Sequence, residues 1–222
     1  MERIAKIKSV EHVTHDVLHW VLEKPDGIVF RPGQAVDISI NQPEWKNEIR
    51  TFTFTSLPDD NVIEFTTKTY PERKSVTNHF LTLKPGDEWV LHDIYGDIAY
   101  KGEGVFIAGG AGITPFYAIL RQLEKEHKIG NNKLIFANKT KSDIIYEEKL
   151  RSLLGKNFIN VLSNEEVPGY EHGFISAEII KKYSGEGTKY YYLCGPPPMM
   201  DAIEKHLSSL GITGDAIVKE GF

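Results

Sequence analysis

The sequence predicts two domains: an antiparallel β-barrel over residues 1–100, then an α/β domain built on a parallel sheet over residues 101–222. Three observations predict this. A chain of 222 residues allows one or two domains of roughly 100 to 200 residues each. The first hundred residues fall into short, mostly alternating runs rich in β-branched and aromatic side chains, divided by turn signals. From about Lys101 the rhythm changes to strand–helix alternation, which requires a parallel sheet with helices on both faces.

In the first half, strands are expected over Ile4–Val10, Asp16–Glu23, Ala35–Ile40, Arg50–Ser56, Val62–Tyr70 and Glu88–Ile94. The separators Pro25-Asp26-Gly27, Arg31-Pro32-Gly33, Leu57-Pro58-Asp59-Asp60 and Lys84-Pro85-Gly86-Asp87 are turn formers. Six such strands suit a small barrel. One helix, Thr77–Leu83, is expected among them, with Thr77 as its N-cap. In the second half, strand Gly104–Ala108 leads to a helix from Pro115 to about His127, whose Phe116, Ile119, Leu120 and Leu123 share one face. Strand Lys133–Ala137 leads to helix Asp143–Leu154 behind the cap Ser142, and strand Phe158–Leu162 to helix Ser176–Tyr183. Strand Tyr190–Leu193 leads to helix Pro197–Leu210, stopped by Gly211, and Ala216–Lys219 is a last strand.

Composition narrows the function. With 41% hydrophobic and 26% charged residues the chain is an ordinary globular one. Its 26 basic and 31 acidic residues leave a net charge of −5, without the basic footprint of a nucleic-acid binder. The single cysteine, Cys194, excludes an internal disulfide and a four-thiolate iron–sulfur cluster, and suits a reducing, cytoplasmic setting. No signal-peptide core precedes Val10. The uncharged stretch Gly104–Leu120 is short for a membrane span and is interrupted by Gly109, Gly110, Gly112 and Pro115.

Ligands of parallel α/β sheets lie beyond the carboxyl ends of the strands, so the loops that matter are Gly109–Thr114, Asn138–Lys141, Ser163–Glu166 and Cys194–Pro198. The glycines of Gly109-Gly110-Ala111-Gly112-Ile113-Thr114-Pro115 let backbone approach an anion. Thr114 is expected to cap the helix, and Pro115 suits its first turn, which needs no N–H donor. The same loop also reads as a tight strand–helix turn. Cys194-Gly195-Pro196-Pro197-Pro198-Met199 again sets glycine and prolines between strand and helix; a lone cysteine there reads equally as a small buried hydrophobe. Arg50-Thr51-Phe52-Thr53-Phe54-Thr55-Ser56 alternates strictly, placing a guanidinium beside an aromatic ring, a pairing that suits a ligand with a pyrophosphate and a flat ring system. It also reads as a barrel strand with one exposed arginine.

Together these segments resemble the ferredoxin–NADP reductase superfamily, in the family's order and over the whole chain. Arg50-Thr51-Phe52-Thr53 is similar to its R-x-[YF]-[ST] flavin motif, Gly109 to Pro115 to its G-G-x-G-I-T-P nicotinamide motif, and Cys194-Gly195-Pro196-Pro197 to its C-G-P-P. Glu220-Gly221-Phe222 resembles the acid-x-aromatic terminus of many members. The resemblance implies a flavoprotein reductase with an FAD-binding domain over 1–100 and an NAD(P)-binding domain over 101–222. Arg50 would hold the flavin pyrophosphate, with Thr51 beside it; Phe52 would pack on the isoalloxazine and Thr53 hydrogen-bond near flavin N5. Thr67 and Lys68 would line the flavin from the next strand, and Ser75-Val76-Thr77 would face the pyrophosphate at a helix start. Ser75 stands where the family usually has glycine, a departure that bears on the choice of FAD over FMN. The nicotinamide dinucleotide would meet Gly110, Ala111, Gly112, Ile113, Thr114 and Pro115, then Asn138, Lys139 and Thr140, then Cys194, Gly195, Pro196, Pro197 and Met199. Thr53, Cys194 and Glu220 would flank hydride transfer, and Phe222 would stack on the outer flavin face and yield to nicotinamide. Hydride passes from nicotinamide C4 to flavin N5 across stacked rings about 3 to 3.5 Å apart, and the flavin then releases electrons singly.

No acid stands at the end of strand Lys133–Ala137 to hold a ribose 2′-hydroxyl, and Lys139 and Lys141 suit a 2′-phosphate, which favours NADPH. Phe136-Ala137-Asn138-Lys139-Thr140 also resembles the F-A-N-x-T segment of NADH-linked nitrate reductase flavin domains, which favours NADH. With no second cofactor domain in the sequence, electrons would leave for a separate acceptor: ferredoxin, flavodoxin, a haem protein or an oxygenase component. The alternatives are a reductase of free flavin, an electron-transfer subunit of a larger complex, and a non-catalytic nucleotide-binding regulator. His12, His15 and His19 are near one another in sequence, but a strand face with two histidines is far more often plain surface than a metal site, and no metal is assigned.

Overall fold

The computed structural model of the chain describes residues 2–70, 72 and 75–220. Six strands, β1 (Arg3–Thr14), β2 (Val17–Glu23), β3 (Ala35–Ile40), β4 (Arg50–Thr53), β5 (Val62–Lys68) and β6 (Glu88–Tyr95), form one antiparallel sheet in the order β4-β3-β6-β1-β2-β5. Its two edge strands meet at the bridge Phe54–Phe65 and the 2.8 Å hydrogen bond from Thr55 N–H to the Glu64 carbonyl, which closes the sheet into a barrel. Inward residues fill the barrel with stacked aromatics: Trp20, Phe54, Phe65, Phe80 and Trp89 are fully buried, and Trp20 Nε1 donates to Thr67 Oγ1 at 2.9 Å.

The second sheet is wholly parallel, with order β10-β9-β8-β7-β11-β12, from β7 (Gly104–Gly109), β8 (Lys133–Asn138), β9 (Phe158–Leu162), β10 (Glu171–His172), β11 (Tyr190–Cys194) and β12 (Ile217–Val218). Its residues alternate between two apolar cores, Phe106 and Phe136 facing one, Ile107 and Ile135 the other. This is the expected parallel sheet covered on both faces. Besides α1 (Val76–His79), helices α2 (Ile113–Lys125), α3 (Glu147–Leu154), α4 (Ala177–Tyr183) and α5 (Pro197–Ser209) connect or cover these strands. The expected face of α2 is the observed one: Phe116, Ile119, Leu120 and Leu123 all join one core. Val17 and Ile98, from the barrel half, are buried in that same core, so the two halves share packing.

Three helix starts differ from expectation. Ser75, not Thr77, caps α1, because Ser75 holds the extended backbone a cap requires and its hydroxyl accepts from Asn78 N–H. A 3-10 turn over Gly110–Gly112 starts α2 at Ile113, so Thr114 lies inside the first turn and its hydroxyl donates to the Ala111 carbonyl at 3.0 Å. Ser142 caps nothing: Thr140 and Asp143 form a reciprocal box, Ile144 and Ile145 are buried by the stretch that follows, and α3 begins only after Tyr146, whose φ is +57°. Strand β10 was not expected at all.

Candidate functional site

Because β7 and β11 are neighbours, with Cys194 in register with Ala108, their two loops leave the sheet side by side. They interlock through glycines. A Cβ on Gly112 would lie 2.3 Å from the Cys194 carbonyl oxygen, and one on Gly109 would lie 2.4 Å from Met199 Sδ. Gly112 itself has an ordinary helical backbone, so its requirement is space. Gly110 is the opposite case, with φ +51° and open space where a side chain would be. Ile113 and Pro115 are buried behind the loop, whereas Ala111 is half-buried at its rim, Gly195 half-buried, and Pro196 and Pro197 exposed.

Cys194 ends β11 with its thiol largely buried. Burial, with the Glu220 charge nearby, pushes its pKa up to about 12, so it is a neutral thiol at physiological pH. Glu220 reaches the barrel: its Oε2 accepts the Asp97 N–H at 3.0 Å, and its Oε1 would lie 3.2 Å from a Cβ on Gly96. Gly96 follows Tyr95, which is in register with Ala35, and Ala35 with Thr53. The carboxylate of Glu220, whose charge reaches the Cys194 thiol, thus ties the Cys194 end of the parallel sheet to the barrel at the Gly96–Asp97 junction, and Thr53 lies two strands across the sheet from Tyr95. Phe222 lies outside the described residues.

Around that junction Thr51 donates to Asp37 Oδ1 at 2.6 Å and lies 2.7 Å from the Tyr95 hydroxyl, which also meets Asp37. Arg50 is exposed; its guanidinium donates to the Ile49 carbonyl and pairs with Glu48 at 3.4 Å. Phe52 is half-buried, its ring 5.5 Å from that of Phe80 and 6.4 Å from that of Trp89. Thr67 commits its hydroxyl to Trp20 inside the barrel and Lys68 its ammonium to Asp16 at 2.7 Å. Among the described residues, the ladder of Arg50–Thr53 runs to β3 alone and that of Thr66–Lys68 to β2 alone. Beyond the Phe54–Phe65 bridge, therefore, two strand edges face one another with backbone groups that invite a hydrogen-bonding, plate-like ligand. Ser75 and Thr77 pair their hydroxyls at 3.0 Å while Val76 is buried in the barrel.

At the end of β8, Asn138 is buried and its Nδ2 has no hydrogen-bond partner. An orphaned donor at a strand's carboxyl end fits a sugar oxygen. Lys139 is exposed, and Thr140 uses its backbone N–H and hydroxyl on Asp143, at 2.8 and 2.7 Å. Lys141 places its ammonium 6.0 Å from the centre of the Tyr170 ring.

Sequence reading missed a second contact between the halves. Arg121 on α2 donates to the Thr55 carbonyl at 2.6 Å and to Glu64 Oε2 at 2.7 Å, and lies 3.5 Å from Asp60. Tyr146 stacks on Tyr117 at 4.3 Å and its hydroxyl lies 2.7 Å from Thr66 Oγ1. His19 stands 3.7 Å from Glu64, whose carboxylate raises the imidazole pKa against the opposing effect of burial. The one available signal was a guanidinium one helical turn beyond Tyr117 on an otherwise packed helix. His15, Asp16 and Asp143 also converge, but Lys68 already pairs with Asp16. No described helix is long and apolar enough to cross a membrane.

Comparison with known proteins agrees with this layout. Residues 4–100 match the oxidoreductase FAD-binding domain and residues 106–205 the oxidoreductase NAD-binding domain. The chain is 31% identical over 227 residues to NADH-cytochrome b5 reductase 1 of Coccidioides immitis strain RS, covering 92% of this chain and 73% of that protein. It is 29% identical over 234 residues to the reductase component of propane 2-monooxygenase from Rhodococcus jostii strain RHA1, covering 98% of this chain but only 62% of that protein. In fold it is similar to a ferredoxin NADP+ reductase from Neisseria gonorrhoeae crystallised with FAD and NADP, with a TM-score of 0.87 at 20% identity, over 100% of this chain and 99% of that one.

Proposed function

The chain belongs to the ferredoxin–NADP reductase superfamily of oxidoreductases, and from that premise we propose that it oxidises NADH with FAD held on residues 1–100 and passes single electrons to a separate acceptor protein. The observation that carries this reading is Glu220, which lies near the Cys194 thiol beside the interlocked glycine loops and bonds Asp97 of the barrel, so that the two halves meet beside those loops. Bound flavin supplies the conversion of a two-electron hydride donor into a one-electron donor.

The chain's own residues bind, orient and exclude water. The facing edges of Arg50–Thr53 and Thr66–Lys68 hold the flavin ring system by backbone, which leaves Thr67 free to bond Trp20. Arg50, whose present partners are its own neighbour's carbonyl and an exposed carboxylate, turns to the pyrophosphate, supported by the Ser75-Val76-Thr77 turn. Thr51, tied to Asp37 and Tyr95, fixes the strand, Phe52 walls the ring, and Thr53, the last residue of β4, would offer its hydroxyl to the reacting edge.

Residues 101–222 hold the nicotinamide dinucleotide. Gly110, with its open backbone, and the start of α2 at Gly112 to Pro115 face the pyrophosphate, and Asn138 Nδ2 takes a ribose oxygen. Lys139 and Thr140 border that ribose. Cys194 to Pro197, backed by Met199, wall the nicotinamide with an uncharged thiol, so Cys194 shapes the pocket and does not attack substrate. Glu220 keeps the two halves in register through Asp97.

NADH is favoured over NADPH by the cytochrome b5 reductase relatives, which are named for it, and by the buried Asn138 at the end of β8, with Lys141 turned to the Tyr170 ring. The same relatives and the monooxygenase component favour a haem protein or an oxygenase component as acceptor, and the single cysteine suits a reducing, cytoplasmic setting. The test is NADH-dependent reduction of ferricyanide and of a haem protein by the purified protein, with kcat/KM compared for NADH and NADPH. A yellow protein that oxidises NADH at least tenfold more efficiently than NADPH is expected. A colourless protein that turns over only with added free flavin, or one that binds nucleotide without oxidising it, defeats the reading.

A further inference from the structure

Seven residues past Thr114, about 10 Å along α2, Arg121 leaves the nucleotide half and enters the barrel. It lands where β4 and β5 are joined: Thr55 N–H bonds the Glu64 carbonyl, and Glu64 N–H bonds Ser56 Oγ at 3.0 Å. Arg121 Nη1 bonds both sides of that seam, the Thr55 carbonyl and the Glu64 carboxylate, while Nη2 lies near Asp60. Glu64 is held from the other side by His19, and Tyr117, one turn earlier on α2, stacks on the Tyr146 that bonds Thr66. Lys125, one turn later, meets Asp59 only at the surface, at 3.2 Å with both groups exposed.

The same helix therefore carries the glycine loop at one end and a half-buried guanidinium in the barrel seam further along. With Nη1 on the Thr55 carbonyl and the Glu64 carboxylate and Nη2 toward Asp60, the rigid guanidinium holds three partners at fixed angles and resists both sliding and tilting, which the single ammonium nitrogen of a lysine does not. We propose that Arg121 is a positioning residue that sets the separation of the flavin-bearing strands from the glycine loop, so that its loss slows hydride transfer without weakening nucleotide binding. This rests on the functional reading above.

The experiment compares the 222-residue chain with its Arg121→Gln and Arg121→Lys variants. Three quantities are read: amide hydrogen exchange of Gly109–Thr114 without added nucleotide, the Kd for unreactive NAD+, and the limiting rate of flavin reduction by NADH. In Arg121→Gln we expect at least threefold faster exchange in that loop, a Kd within twofold of wild type, and reduction at least tenfold slower; Arg121→Lys, which keeps charge without the fork, falls between. Unchanged exchange and rate overturn the proposal, as does a rate that falls only in proportion to NAD+ affinity. Loss of the fold in both variants also overturns it, making Arg121 a stability residue. A wild-type protein that keeps no flavin defeats the functional reading instead, while the exchange comparison still judges the positioning role of Arg121.

Discussion

Replacing Gly112 with alanine separates the two readings of the glycine loop. At its φ of −63° the backbone accepts any residue, so the substitution adds one methyl group and nothing else. That methyl would sit 2.3 Å from the Cys194 carbonyl oxygen, 2.6 Å from its carbon and 2.8 Å from Gly195 N, all backbone atoms with no rotamer to escape into. Ordinary contact starts near 3.4 Å, so the two loops must part by roughly 1 Å, a displacement that can cost a well-aligned reaction about 100-fold. Overpacking of this kind costs about 1–3 kcal/mol of stability, or several degrees in Tm. Gly211→Ala, past the end of α5, is the control: its methyl meets nothing within 4 Å, and only the positive φ of +77° is penalised, by about 1–2 kcal/mol. Anaerobic stopped-flow reduction by NADH, alongside thermal unfolding, reads both. Gly112→Ala should lose about two orders of magnitude in rate while Gly211→Ala loses less than twofold, at similar cost in Tm. Equal rates in the two variants would refute the claim that loop-to-loop contact sets the geometry.

Three further outcomes follow from the site. Thr53→Ala and Cys194→Ala should each slow flavin reduction about tenfold or more while changing NAD+ affinity less than twofold; unchanged stopped-flow rates in both would remove these roles. The Cys194 thiol, held at about 12 by burial, should be alkylated by iodoacetamide at pH 8 on the order of 100-fold more slowly than free cysteine, and a fast reaction would show that the thiol is not enclosed. Because Glu64 raises the His19 pKa, the imidazolium's contribution to stability is complete below the unfolded value of about 6.5 and is lost as pH rises through the raised folded value. The Tm gap between wild type and His19→Gln should therefore be about 2 °C near pH 6 and close by about pH 9; a gap independent of pH would contradict the pairing.

Legibility in the sequence depended on how local each signal was. The α2 face was readable because Phe116, Ile119, Leu120 and Leu123 repeat at helical spacing, and they do pack into one core. The parallel sheet was readable because four strand–helix pairs repeat the same rhythm. Strand β10 was not, since two residues, Glu171 and His172, show no period. Caps were misplaced at Thr77, Thr114 and Ser142 because several hydroxyls compete within a few residues, and the winner depends on backbone angles set by packing. The glycine loop announced itself, yet its residues divide the work in a way no motif states: Gly112 makes room for Cys194, while Gly110 supplies a positive φ. Contacts between the halves were invisible for a simpler reason. Arg121 and Glu64 are 57 residues apart and Thr66 and Tyr146 are 80 apart, and one sequence carries no sign of such pairings.

The most direct measurement is the visible absorption spectrum of the protein after gel filtration, recorded before and after NADH is added without oxygen. Retained yellow flavin that bleaches on addition and recovers with ferricyanide is the expected result. A protein that emerges colourless, or whose flavin colour survives excess NADH and NADPH alike, would contradict the meeting of the two binding lobes at Cys194 and Glu220.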